Sequence, residues 1–162
     1  MSPSAESRDA LSRARFFLER AKASDGDLEA FEAFLEACIV FARSALQRDH
    51  ERFKATKSQG VKDWFDSLDE NASVLFFRKH RDLIIHEKPA ELGQVIHVHS
   101  IAPTSVVGGS GGIPTDTAPR PARALESYYL TEPGTPATTE VEQHLQVLES
   151  VLHEARKRFD SR

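Results

Sequence analysis

Between residues 7 and 23 the apolar positions Ala10, Ala14, Phe17, Leu18 and Ala21 recur at helical spacing. The pattern predicts a first helix from about Ser7 to Ala23, with Met1 to Glu6 frayed. Ser24-Asp25-Gly26-Asp27 reads as a turn, with Asp27 placed to cap the following helix. That second helix, Leu28 to Asp49, aligns Phe31, Phe34, Leu35, Cys38, Phe41, Ala42, Ala45 and Leu46 on one side. Ile39 and Val40 widen the stripe, so this helix is expected to be central and contacted from several directions. The short link makes the two an antiparallel hairpin.

His50 to Gly60 is polar and weakly patterned, either a frayed helix end or a basic loop. Val61 to Leu68 predicts a short helix with Trp64, Phe65 and Leu68 inward. A fourth helix, Glu70 to Glu87, is stopped by Pro89, with Phe76, Phe77, Leu83 and Ile84 expected to pack on the second.

After Pro89 the period falls to two. Gln94 to Ile101 sets Ile96 and Val98 against His97 and His99, as a strand does, and Ala124 to Leu130 reads as a second strand able to return antiparallel. Two strands are marginal alone and must lean on the bundle or on a subunit interface. Residues 103–122 between them are rich in Gly, Pro, Ser and Thr, which predicts a disordered loop. After a turn-rich link at 132–137, Thr139 and Glu142 predict a capping box. Val141, Leu145, Leu148, Leu152, Ala155 and Phe159 then form an amphipathic stripe. The expected fold is mainly α: one domain over 1–162, core helices at about 7–89 and 138–160, and a β-hairpin with a flexible loop at about 94–131.

A chain of 162 residues suits one domain and can bury about 70% of its unfolded surface. The net charge of −4 argues against a general nucleic-acid coat, and no DNA partner is expected. A local basic groove is still open. Arg43, Arg48, Arg52, Lys54, Lys57 and Lys62 face only Asp49 and Glu51 in their stretch, although a solvated helix face is the ordinary reading of such a run. Cys38 is the one cysteine and reads as a buried small hydrophobe in a reducing compartment. No apolar run approaches the roughly 18 residues a membrane span needs, and MSPSAESRDA lacks the apolar core of a signal peptide. A cytoplasmic location with no membrane partner is the expectation.

The densest chemistry lies in FFRKHRDLIIHEKP, Phe76 to Pro89, where Arg81, Asp82 and His86 share one helix end with Arg78, Lys79 and Lys88. Residues five apart on a helix lie about 7.5 Å along the axis and roughly 140° around it, so Arg81 and His86 flank a groove. Asp82 and His86 are four apart, which lets the carboxylate orient the imidazole. The bland reading makes Arg81 a surface residue and His86 a helix C-cap.

The motif RDLIIH, Arg81 to His86, followed by Glu87, resembles the signature of the HEPN superfamily, all-helical domains that include metal-independent ribonucleases. ARFFLERA and FEAFLEACIVFARSAL, from Ala14 and Phe31, are similar to the first hairpin of bacterial HEPN-like proteins. Lys62 to Pro89 resembles their motif-bearing segment. Asp82 stands where most members have Asn. The resemblance implies an endoribonuclease of toxin–antitoxin, phage-defence or RNA-processing systems, with RNA as substrate, an antitoxin as a partner protein, and a homodimer whose motif helices face across a two-fold axis. It implies His86 as general base, Arg81 as stabiliser of phosphoryl charge and Asp82 as third site residue, with Arg78, Lys79 and Lys88 binding substrate and no metal or cofactor. The alternative is a non-catalytic helical module binding RNA, a nucleotide or a protein through the same groove.

Other constellations are weaker. His97 and His99 project together and can share a metal, yet strand alternation already explains them. Gly108, Gly109, Gly111 and Gly112 lack the lysine and helix of a phosphate loop. Tyr128 and Tyr129 are read as packing, and Asp66, Asp69 and Glu70 as helix surface.

Overall fold

The computed structural model describes residues 3–24, 26–86, 93–98, 124–130 and 135–160, with side chains described over 10–24, 26–85, 130 and 135–160. The chain is mainly helical. In order come α1 (Pro3–Ala23), α2 (Leu28–Ala55), α3 (Val61–Ser67), a 3-10 turn (Leu68–Glu70), α4 (Ala72–His86), β1 (Gly93–Val98), β2 (Ala124–Tyr129) and α5 (Ala137–Phe159). The glycine-rich loop at 103–122, Lys88 and His99 lie outside the described residues.

Helix α1 places Ala10, Ala14, Leu18 and Ala21 in the core. Three of the four are alanines, which lets the helix approach α2 closely. Phe17 beside that stripe stacks on Phe41 with centroids 5.5 Å apart and an interplanar angle of 11°. The helix begins at Pro3 rather than near Ser7. Proline suits a first helical turn, where its missing N–H has no intrahelical acceptor to satisfy. Gly26 takes a positive φ of 89° in the turn, and Asp27 accepts from the Ala30 N–H at 3.0 Å, the predicted cap.

Helix α2 touches α1, α3, α4 and α5, the central position its wide stripe predicts. It runs to Ala55, six residues past the expected end at Asp49. The reason lies at long range. Asp49 is fully buried and takes Arg156 Nε at 2.8 Å, while Arg52 Nη2 reaches Asp160 at 2.8 Å. One turn on, Phe53 is buried in a satellite cluster with Val61, Ala155, Phe159 and Trp64. Polar residues that look like a fraying end are held by the last turns of α5.

Helix α4 starts from Asn71, whose Oδ1 accepts from Ser73 N at 3.0 Å and Val74 N at 3.1 Å. Phe76 and Phe77 are buried and Ile84 packs against the core, but Leu83 is 45% exposed and does not pack on α2. Helix α5 buries Val141, Leu145, Leu148, Leu152, Ala155 and Phe159, every member of the predicted stripe. The capping box is not formed. The helix begins at Ala137, with Pro136 at the cap and no side-chain bond there, three residues before the predicted cap, so Thr139 is already inside it. Segments β1 and β2 pair antiparallel, with Gly93 opposite Tyr129 and His97 opposite Leu125, and β2 lies against α5.

Candidate functional site

Helix α4 presents two chemical faces. The first is a cluster of guanidinium groups. Arg43 of α2 lies in the fields of Arg78 and Arg81 of α4, with Asp82 the nearby counter-charge. Burial first, and then the two like charges, push the Arg43 pKa down from its ordinary value, Asp82 opposing them. Arg43 Nη1 is buried without a hydrogen-bond partner among the described residues. A buried N–H left unpaired costs about 1–3 kcal/mol, which an acceptor there, water or anion, would recover.

The neighbours are engaged only with exposed carboxylates. Arg81 Nη1 meets Asp82 Oδ1 at 3.1 Å, and Arg78 Nη1 meets Asp69 Oδ1 at 2.6 Å. Surface pairs of this kind contribute about 0–1 kcal/mol, so a phosphate displaces them at small cost. Other cations of the basic stretch are paired locally: Lys54 with Glu51 at 3.5 Å and Lys62 with Asp66 at 3.8 Å. For these the ordinary reading of a solvated helix face holds. The backbone of α4 ends at His86, whose side chain lies outside the described set, as does Lys88. Of the sequence-derived site, Arg78, Arg81 and Asp82 are therefore seen on one helix face beside Arg43, and Lys79 is exposed.

The second is a cleft between α4 and α5 of about 560 Å³, lined by Leu75, Phe76, Lys79, His80, Glu140 and His144 among others, and sharing Arg78 and Asp82 with the cluster. Two imidazoles pack against Phe76. His144 stacks at 4.1 Å and 21°, and His80 packs at 4.4 Å and 49°. Ser73 Oγ lies 2.9 Å from His144 Nδ1 and stands behind the cleft wall rather than lining it. Ser73, His80 and Glu140 are all buried.

Burial lowers the pKa of both histidines. Lys79 adds to the effect at His80, and Glu140 opposes it at each ring. Both rings are therefore neutral at pH 7, each with one donor and one acceptor nitrogen. Among the described residues no group of His, Cys, Asp and Glu has the arrangement of a metal site. His80, Glu140 and His144 were not singled out from the sequence as one site. The local signals were there: His80 falls one turn after Phe76, and Glu140 and His144 are four apart beside the apolar stripe of α5.

Comparison with protein-family models, with curated proteins and with solved structures gives no match. Among the described residues no helix is long and apolar enough to cross a membrane.

Proposed function

We propose that this chain is a HEPN-type RNA-acting protein, a metal-independent endoribonuclease built on an antiparallel helical bundle with a small β-hairpin insertion before its last helix. The observation that carries the reading is that Arg78 and Arg81 act electrostatically on Arg43, whose buried Nη1 has no hydrogen-bond partner among the described residues. Such a site accepts a phosphate of the RNA backbone, for which the planar guanidinium fork is suited. His86, at the end of the same helix, takes the proton of a ribose 2′-hydroxyl. The alkoxide attacks the adjacent phosphorus and expels the 5′-oxygen, which takes a proton from the second His86 of a dimer. Arg81 stabilises the charge developing on the phosphoryl oxygens. Asp82 orients the imidazole in this scheme, exchanging its contact with Arg81 as phosphate arrives.

The dimer belongs to the same proposal. Leu75, Leu83 and Ile85 of α4 are 40%, 45% and 49% exposed, apolar side chains of the motif helix that a second copy would cover. The biological setting that fits is a toxin–antitoxin, phage-defence or RNA-processing system, with an antitoxin as partner protein.

The reading is tested by equilibrium binding of single-stranded RNA across a salt series. Arg43→Ala is expected to weaken binding and to reduce the salt dependence by about one released counterion. Unchanged affinity and slope would contradict it.

A second reading, a module that binds RNA, a nucleotide or a protein without cutting, is favoured by the cleft between α4 and α5. Its imidazoles are buried against Phe76, an arrangement suited to holding a ring rather than transferring a proton.

A further inference from the structure

We propose that the polar cleft between the α2–α3 link and the end of α5 binds a free α-amino acid, with its carboxylate on Arg158 and its ammonium group on Asp63. The cleft lies at the other end of α5 from the α4–α5 cleft. From Glu140 to Phe159 the helix advances about 28 Å at 1.5 Å per residue. The site draws on none of the residues of the RNA reading and stands apart from it.

Ser58, Gln59, Gly60, Asp63, Arg158 and Phe159 line a cleft of about 440 Å³, within the range of small-ligand pockets. Its two walls are tied together. Ser58 Oγ donates to the Phe159 carbonyl at 3.4 Å and shares a hydrogen bond with Thr56 Oγ1 at 2.9 Å. The Phe159 ring is in turn packed by Phe53 at 5.1 Å and Trp64 at 5.7 Å. Over that ring, at 4.9 Å from its centroid, lies the Arg158 guanidinium. Its Nη2 also lies against Gly60, where a Cβ would stand 3.0 Å away. Gly60 has a φ of +83°, a conformation that favours glycine, so the missing side chain both permits the turn and leaves room for the guanidinium.

The charges of the cleft select its ligand. Nearby ions are paired: Lys62 with Asp66 at 3.8 Å, Arg52 with Asp160 at 2.8 Å and Lys157 with Glu154 at 3.1 Å. Arg158 and Asp63 share the cleft without pairing with each other, and neither has another ion-pair partner among the described residues. A phosphate or a lone carboxylate satisfies Arg158 but is repelled by Asp63, and a lone amine meets the reverse. A zwitterion satisfies both. An α-amino acid presents a planar carboxylate, which takes two parallel bonds from a guanidinium fork, and an ammonium group that only donates, as a carboxylate requires. The Gln59 amide adds donors and an acceptor for a polar side chain.

The test titrates the common α-amino acids and inorganic phosphate into the full-length chain, followed by the N-acetyl and amide derivatives of the tightest binder. The backbone amide resonances of Gly60 and Asp63 and the indole N–H of Trp64, the one tryptophan, report on the site. The expected result is saturable movement of all three by an amino acid that binds at least about tenfold more tightly than either blocked derivative, the contribution of one charge-assisted contact. Arg158→Gln should abolish binding. Asp63→Asn should bring the amino acid and its N-acetyl derivative to equal affinity. Both side chains are exposed, and thermal unfolding checks that the variants keep the native fold. No movement with any amino acid, phosphate bound as tightly as the amino acid, or native affinity in Arg158→Gln would overturn the site. The native-chain titration decides the matter without the variants, and each of its outcomes leaves the RNA reading as it stands.

Discussion

Ser73 Oγ and His144 Nδ1 meet at 2.9 Å across the boundary between α4 and α5. The bond ties the first turn of the motif helix to the last helix and fixes the ring that Phe76 stacks on. Ser73→Ala would leave a part-buried ring nitrogen without its partner. It should destabilise the fold by about 1–3 kcal/mol. Urea unfolding measures the loss, and an unchanged midpoint would show that water replaces the hydroxyl.

One buried and two half-buried histidines make stability pH-dependent in one direction. His50, His80 and His144 all have pKa values lowered by burial as the leading cause. The unfolded chain then binds more protons than the native one between each lowered value and the ordinary one of about 6.5. Stability from these groups is fully present above that value and is lost as pH falls toward the folded values. Melting temperature should therefore drop between pH 7 and 5.5, before the carboxylates titrate. His144→Gln should flatten the slope, and thermal scans in matched buffers would contradict the account if melting were level across this range.

Asp49 is the buried charge on which the far end of the bundle depends. Its carboxylate takes Arg156 at 2.8 Å, and Arg52 lies 3.0 Å from the other oxygen in an ion pair without hydrogen-bond alignment. Removing it takes the buried carboxylate from Arg156 and leaves Arg52 its pair with Asp160, so Asp49→Ala should cost about 3–5 kcal/mol. Chemical denaturation measures this, and a loss below about 1 kcal/mol would show that the arginines relax into solvent.

These residues also mark what the chain discloses before it is folded. The stripe of α5 is legible because Val141, Leu145, Leu148, Leu152, Ala155 and Phe159 keep helical period and all point one way. The end of α2 is not. Asp49 and Arg52 look like solvated polar residues until Arg156 and Asp160, more than a hundred positions on, reach them. Periodicity likewise finds the apolar residues of α4 without telling which face is covered, so Leu83 reads as core and is exposed. The cleft was hidden for the same reason as the ion network. His80 and His144 are remote in sequence, and only their packing against Phe76 joins their chemistry. The arginines of the motif helix were legible as a run of cations, but Arg43 as their companion depended on how α2 crosses α4.

Cys38 is buried, and its thiol is pushed up to about 12 by burial, with Arg15 opposing. At pH 8 almost none is thiolate, so the native chain should resist aromatic disulfide reagents and react only on unfolding. Prompt stoichiometric labelling of the native chain would show that α1 and α2 separate readily.

Assembly follows from the exposed α4 residues. Light scattering at micromolar concentration should give a dimer mass, and Leu83→Glu with Ile85→Glu should shift it toward the monomer while circular dichroism is unchanged. A monomer mass for the native chain would count against the shared site.

The most direct measurement is RNA cleavage by the native chain and by His86→Ala, both with divalent metal chelated and both confirmed as folded. The account predicts cleavage by the native chain and a loss of about 10²–10⁴-fold or more in the variant, the contribution of a positioned general base. Cleavage that persists at the native rate in His86→Ala, or a folded native chain that cuts no RNA, would contradict it.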